Sequence, residues 1–190
     1  MNRSRTIRGK HALSAHRITR GEYSVHFDSD VSNCAFLATI GATGATPVVD
    51  PGTISVASGK KPHNVFVTTV GRSGSVANFP FHLAANCGTT PFRAVVKANG
   101  TTARGRGTTS SQHLGPNGEY EVAFTQDVTM CSFVATIGGP GTGITTLPLT
   151  ITGSISWPAA EPQAARSRAA RIASASSRTP GSTAGSGRWP

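Results

Sequence analysis

A segment of 21 residues occurs twice in this chain. Residues 21–41 return 97 positions later as residues 118–138, without a gap and with 13 identities. Chance would give about one or two, so the segment is a duplicated structural unit. The shared positions are Tyr, Val and Phe in alternation, then Asp-Val, a Cys, and Phe-x-Ala-Thr-Ile-Gly. They form a packing pattern, and none is a catalytic type in a catalytic setting. The duplication therefore constrains the architecture and leaves the chemistry open.

The alternation has period two, the signature of strands with one buried face. Tyr23, Val25 and Phe27 fall on one face, against Glu22, Ser24 and His26 on the other. Cys34, Phe36, Ala38 and Ile40 share a second face, and Phe79, Phe81, Leu83, Ala85 and Cys87 a third. Residues 65–70, Val-Phe-Val-Thr-Thr-Val, are apolar on both sides and read as a central strand. Turn signals separate these runs at Arg20-Gly21, Pro51-Gly52, Ser73-Gly74, Asn99-Gly100 and Pro116-Asn117-Gly118. Asn99-Gly100 is expected to make a type I′ hairpin. No helical periodicity intervenes, so the expected fold is all-β, an antiparallel sandwich or barrel.

Four segments follow: a basic arm over 1–7, a first unit over 8–98, an incomplete second unit over 99–157, and a tail over 158–190. Ser14 and His16 correspond to Ser111 and His113, and Gly52-Thr53-Ile54-Ser55-Val56 to Gly153-Ser154-Ile155-Ser156-Trp157. Beyond residue 157 the match stops. Counterparts of 65–70 and 79–87 are not expected in the second unit, which predicts self-association or partial disorder in residues 118–156. The Ala/Arg/Ser-rich tail is expected to be disordered, since it offers little apolar surface to offset chain entropy. A reading-frame change and a natural truncation both account for the break.

The formal charge of +10 has a location. Residues 1–20 carry six basic side chains and no acid, residues 157–190 carry five basic and one acid, and residues 21–156 balance. The basic ends should attract polyanions non-specifically, while the neutral core lacks a basic stripe interleaved with aromatics. No run approaches the 18 or so apolar residues of a membrane span. No apolar segment of signal-peptide type follows the basic start, so the compartment is not read from the sequence, although a disulfide would favour an extracellular, surface or virion setting.

The motifs Gly-x-Tyr-x-Val-x-Phe, Asp-Val-x-x-Cys and Ala-Thr-Ile-Gly resemble those of an uncharacterised bacterial β-rich repeat family. The resemblance covers residues 8–98 and 104–157, and Pro80-Phe81-His82-Leu83 completes it in the first unit only. It implies a β-rich repeat and no established activity.

Cys34 and Cys87 are both in phase with core positions and are expected either to form a disulfide or to sit as two buried thiols. Cys131 repeats Cys34 and is left without a counterpart of Cys87. Asp30 and Asp127 recur before Val and are expected to shape Asx-type turns; a calcium site from Asp28, Asp30 and Asp50 is the sharper alternative. His16, His113 and His82 read as exposed strand residues. Zinc is not expected, because no Cys/His cluster exists. Gly59-Lys60-Lys61 lacks the rest of a phosphate loop, residues 138–143 read as a flexible glycine loop, and no Gly-x-Ser-x-Gly elbow is present. No catalytic, cofactor or metal residues are assigned. The expectation is a non-catalytic structural or adhesive protein that contacts a protein or glycan through loops 41–52, 58–63 and 138–147. Polyanion binding by the ends is the alternative.

Overall fold

Alternating β-branched and aromatic residues between glycine turns build strands, and the described part of the chain contains no helix. The computed structural model describes residues 8–42, 44, 48, 52–89, 91–116 and 118–142, and the strands at 153–156 and 169–174. The first unit contributes β1 (Ala12–Thr19), β2 (Glu22–Phe27), β3 (Ala35–Ile40), β4 (Gly52–Ser58), β5 (Asn64–Gly71) and β6 (Phe81–Asn86). A connecting hairpin, β7 (Arg93–Val96) and β8 (Thr102–Arg106), precedes β9 (Thr108–Leu114) and β10 (Glu119–Phe124). Then come β11 (Gly138–Thr142), β12 (Gly153–Ser156) and β13 (Ala169–Ser174).

Two open layers form the first unit, and neither closes into a barrel. One is the sheet β1-β2-β5-β4-β11, and the other is the antiparallel pair β3-β6. The core lies between them. Tyr23, Val25 and Phe27 of β2 meet Phe36, Phe81, Leu83 and Ala85 of the facing pair, with the Tyr23 and Phe81 rings edge-to-face at 5.1 Å. Val65 and Val67 of the central strand are fully buried, each adding about 1.5–3 kcal/mol relative to an exposed side chain. The expected faces of β2, β3 and β6 are the ones observed.

The second unit repeats the strand order of the first. Its sheet runs β9-β10-β13-β12, matching β1-β2-β5-β4, with all neighbours antiparallel. The counterpart of β5 therefore exists, contrary to expectation, and is Ala169–Ser174. The expectation for the remainder of the tail falls outside the described residues. The segment has no hydrophobic alternation to announce it. What defines it is pairing on both sides, with Tyr120↔Ile172 on one edge and Ile155↔Ile172 on the other. In the first unit Tyr23 pairs with Val67 and Val56 with Val67. Ile155 thus takes the place of Val56, two residues from its place in the sequence alignment. A shift of two preserves the faces.

Three further expectations are corrected by the backbone. The Asn99-Gly100 turn is not type I′, because only Gly100 has positive φ, at 87°. Gly100 N–H donates to the Lys97 carbonyl at 2.9 Å, and the Asn99 side chain accepts from Thr101 N–H at 3.1 Å. The turn is one residue longer than a type I′ loop and is absorbed by a bulge between Val95 and Val96. Residues 138–142 are not a flexible loop but a strand, parallel to β4. A Cβ at Gly138 would collide with the Val56 carbonyl, so glycine is what permits that approach.

The third concerns His16 and His113, which are not structurally equivalent. His16 stands opposite Ser24, whereas His113 stands opposite Tyr120. The first hairpin turns after Thr19 and resumes at Glu22, whereas the second runs from Leu114 to Glu119. The registers consequently differ by one residue, which sends the two side chains to opposite faces. Both are exposed, and His113 packs edge-to-face on Tyr120 at 4.8 Å.

Candidate interaction surface

The sandwich is stapled at one corner. Cys34 and Cys87 lie at disulfide distance, with Cα atoms 4.5 Å apart, just past the β3-β6 ladder. Cys34 is buried, but Cys87 is exposed and so is not the core residue its phase implies. It sits just past the end of the β3-β6 ladder, which leaves the residue exposed while its sulfur meets that of buried Cys34. Cys131 is an exposed free thiol.

The segments that follow β2 and β10 are tied by short polar contacts. Asp30 accepts from Ser32 N–H at 2.8 Å, and Asp127 accepts from Thr129 N–H at 2.9 Å and Thr129 Oγ1 at 2.7 Å. Both are Asx-type turns, and each leads into a matching hydrogen bond, Cys34 N–H to the Val31 carbonyl and Cys131 N–H to the Val128 carbonyl, both 3.0 Å. Asp28 accepts from Ser29 Oγ at 2.7 Å and lies 2.8 Å from His11 Nδ1. Those two contacts, Ser29 first, hold its carboxyl below the ordinary aspartate range. Asp30 is lowered in the same direction, chiefly by hydrogen bonding to Ser32. Asp28 and Asp30 are thus each occupied with local partners, and Asp50 lies outside the described residues. Among the described residues no three His, Cys, Asp or Glu side chains converge on one point.

Beside the Asp30 turn runs the loop 58–63. Its backbone is pinned to the scaffold: Phe27 N–H donates to the His63 carbonyl at 2.8 Å, Val31 N–H to Pro62 at 2.9 Å, and Asn64 N–H to Lys61 at 2.9 Å. The adjoining sheet face carries a polar chain, with His26 Nδ1 2.8 Å from Asn64 Oδ1 and Asn64 Nδ2 donating to Ser24 Oγ at 3.0 Å. Lys60, Lys61 and Pro62 point outward. Of the other two loops singled out, 41–52 lies largely outside the described residues, and 138–147 begins as β11.

Sequence reasoning missed Arg104. This side chain reaches from β8 into the first unit, where Nε donates to the Cys34 carbonyl at 2.9 Å, Nη1 to the Pro140 carbonyl at 2.7 Å, and Nη2 to Ser58 Oγ at 3.3 Å. Its guanidinium also lies 5.6 Å from the Phe36 ring centroid. Burial lowers its pKa, but an arginine stays cationic at any physiological pH. One cation thereby fastens the connecting hairpin to β3, β4 and β11 together. The available signal was an arginine isolated from acids within a neutral core, flanked by Ala103 and Gly105.

The segment around that hairpin also packs on the sheet of the second unit. Tyr120 OH donates to the Ala98 carbonyl at 3.1 Å, Ser111 Oγ to Gly100 at 2.7 Å, and the Phe92 and Phe124 rings meet edge-to-face at 5.7 Å. Residues 131–137, the sequence counterpart of β3 with its approach, form no strand. Their far end docks on the first unit instead, where Val56 N–H donates to the Ile137 carbonyl at 3.2 Å.

No protein-family model matches this sequence, and no curated protein or solved structure shows significant similarity to it. Among the described residues no helix is long and apolar enough to cross a membrane.

Proposed function

We propose that this chain is a non-catalytic structural or adhesive β-repeat protein, a surface, secreted or virion-like component that contacts a protein or glycan through its loops. The observation that carries the reading is the loop 58–63, whose backbone is fixed by four hydrogen bonds, one each with Phe27 and Val31 and two with Asn64, while Lys60, Lys61 and Pro62 face outward. A binding loop held on a rigid scaffold loses little conformational freedom on contact. A Cys34–Cys87 disulfide fits an oxidising compartment.

The test is adhesion of the full chain to glycan- and protein-coated surfaces, compared with Lys60→Ser and Lys61→Ser together. Loss of adhesion with unchanged thermal unfolding supports the reading; undiminished adhesion overturns the role of this loop. A second reading, polyanion binding, is favoured by the placement of the excess charge in residues 1–20 and 157–190. Its mark is retention on heparin that collapses steeply with salt, since each neutralised phosphate or sulfate releases counterions.

A further inference from the structure

We infer that the outer edge of β1 is a docking site for an extended acidic segment of a partner protein, which adds as a strand to the first sheet and carries apolar residues between its carboxylates. β1 is the outermost strand of the sheet β1-β2-β5-β4-β11, and among the described residues it pairs with β2 alone. An uncovered edge strand offers a row of backbone donors and acceptors to another chain.

The side chains along this edge select the partner. Leu13 is 62% exposed and Ile18 is 59% exposed. Each falls at a bulge, where Ala12↔Phe27 gives way to Ser14↔His26 and Arg17↔Tyr23 to Thr19↔Glu22, so neither has a residue opposite it on β2. Between the bulges, residues 14–17 keep a regular register. Residues 8–20 carry Arg8, Lys10, Arg17 and Arg20 and no acid. Of the acids on β2 and at its end, Glu22 stands opposite Thr19, and Asp28 is engaged by Ser29 and His11. The edge is therefore positive, which repels a second β1 and attracts carboxylates.

The repeat does not require this chemistry. At the 97-residue offset between the units, Arg8, Lys10, Leu13, Ile18 and Arg20 become Gly105, Gly107, Ser110, Gly115 and Asn117. β9 and β10 nevertheless form an antiparallel pair as β1 and β2 do. The charges and exposed apolar residues thus belong to this edge and not to sheet packing. The acids of this chain do not supply the occupant. Glu119 and Glu121 lie on β10, which is laddered on both sides, and Asp28 and Asp30 are held in local hydrogen bonds. The edge is a different surface from loop 58–63, so either can fail alone.

The probe is a fluorescent peptide of alternating valine and glutamate, eight residues long to match β1, titrated into the full-length chain. The control is the same peptide N-methylated at every residue, which keeps charge and side chains but cannot donate to a ladder. Attraction to the basic ends is common to both. The expected result is binding at least about tenfold tighter than the control, equivalent to about 1.4 kcal/mol, with slower amide exchange in Ala12–Thr19. Leu13→Ser with Ile18→Ser, and separately Lys10→Glu with Arg20→Glu, should each erase the difference. All four side chains are exposed, and an unchanged thermal midpoint verifies the fold. Equal affinity for the two peptides overturns the inference and makes the edge a general polyanion surface. So does a dimer, seen by light scattering, that Leu13→Ser with Ile18→Ser dissociates, since a second copy would then be the occupant.

Discussion

Thr136 Oγ1 lies against the backbone of Ala38, accepting from its N–H at 3.2 Å and donating to its carbonyl at 3.4 Å. In the sequence Thr136 is the counterpart of Thr39, the residue next to Ala38. The second copy of Ala-Thr-Ile-Gly is therefore not used as a strand of its own unit. It docks against β3, hands Ile137 to β4, and continues as β11.

Replacing Thr136 by Val keeps the shape and removes both hydrogen bonds. Ala38 is partly buried, so its backbone groups lose partners they cannot fully recover from water. A loss of about 0.5–1.5 kcal/mol is expected, read as a lower urea midpoint at unchanged slope. No change would mean that Ile137 and β11 alone hold this junction.

The Cys34–Cys87 link closes a loop of 53 residues in sequence separation. Chain-entropy reasoning assigns such a cross-link about 4 kcal/mol, acting mainly on the unfolded state. Cys87→Ser is the informative variant, because Cys87 is exposed and serine there buries no new polar group. The expected outcome is a large fall in thermal midpoint, reproduced in the wild type by reduction. A midpoint indifferent to reductant would show that the two layers are held by packing alone.

What was legible in the sequence was whatever rested on side-chain alternation. Tyr23, Val25 and Phe27, the Phe36–Ile40 face and the Phe81–Ala85 face all follow from period two, and so does the closeness of Cys34 and Cys87, although not the exposure of Cys87. What was not legible rested on backbone. β11, Gly-Gly-Pro-Gly-Thr, is three-fifths glycine and reaches β4 through Gly138, so no side-chain alternation marks it. β13 is placed by two neighbouring ladders. The reversal of His113 relative to His16 stems from a longer hairpin loop, which a gapless alignment cannot register. Arg104 binds carbonyls rather than a carboxylate, so no acidic partner in the sequence pointed to it.

The turn carboxylates set an acid limit on stability. Asp28 and Asp30 have folded-state pKa values below their ordinary 3.8, held there by Ser29 and His11 and by Ser32 respectively. A group whose pKa is depressed on folding binds fewer protons in the folded state than in the unfolded one. Its contribution is fully present above pH 3.8 and is lost as the pH falls through the lowered folded values. Stability should accordingly decline below about pH 4. In Asp28→Asn with Asp30→Asn that decline should be shallower, measured by denaturant midpoints across the acid range. An identical acid slope in the variant would assign the decline to other groups.

The last prediction concerns β13. β10 lies between β9 and β13, with Glu119, Tyr120, Glu121, Val122 and Ala123 each facing a residue on both sides. A strand with ladders on both edges has its amides and carbonyls bonded in both directions, whereas a strand that loses one neighbour exposes half of them to exchange. Ile172 is the position shared by the Tyr120 and Ile155 ladders. Proline there removes a donor and cannot sit in a central strand. Ile172→Pro should therefore accelerate amide exchange across Glu119–Phe124 and leave β5, in the first unit, as slow as before. Exchange by mass spectrometry on peptic fragments resolves the two regions in one experiment. If the β10 amides exchange at the same rate in both proteins, β13 does not complete the second sheet in solution. The second unit would then be only the β9-β10 hairpin resting on β7 and β8.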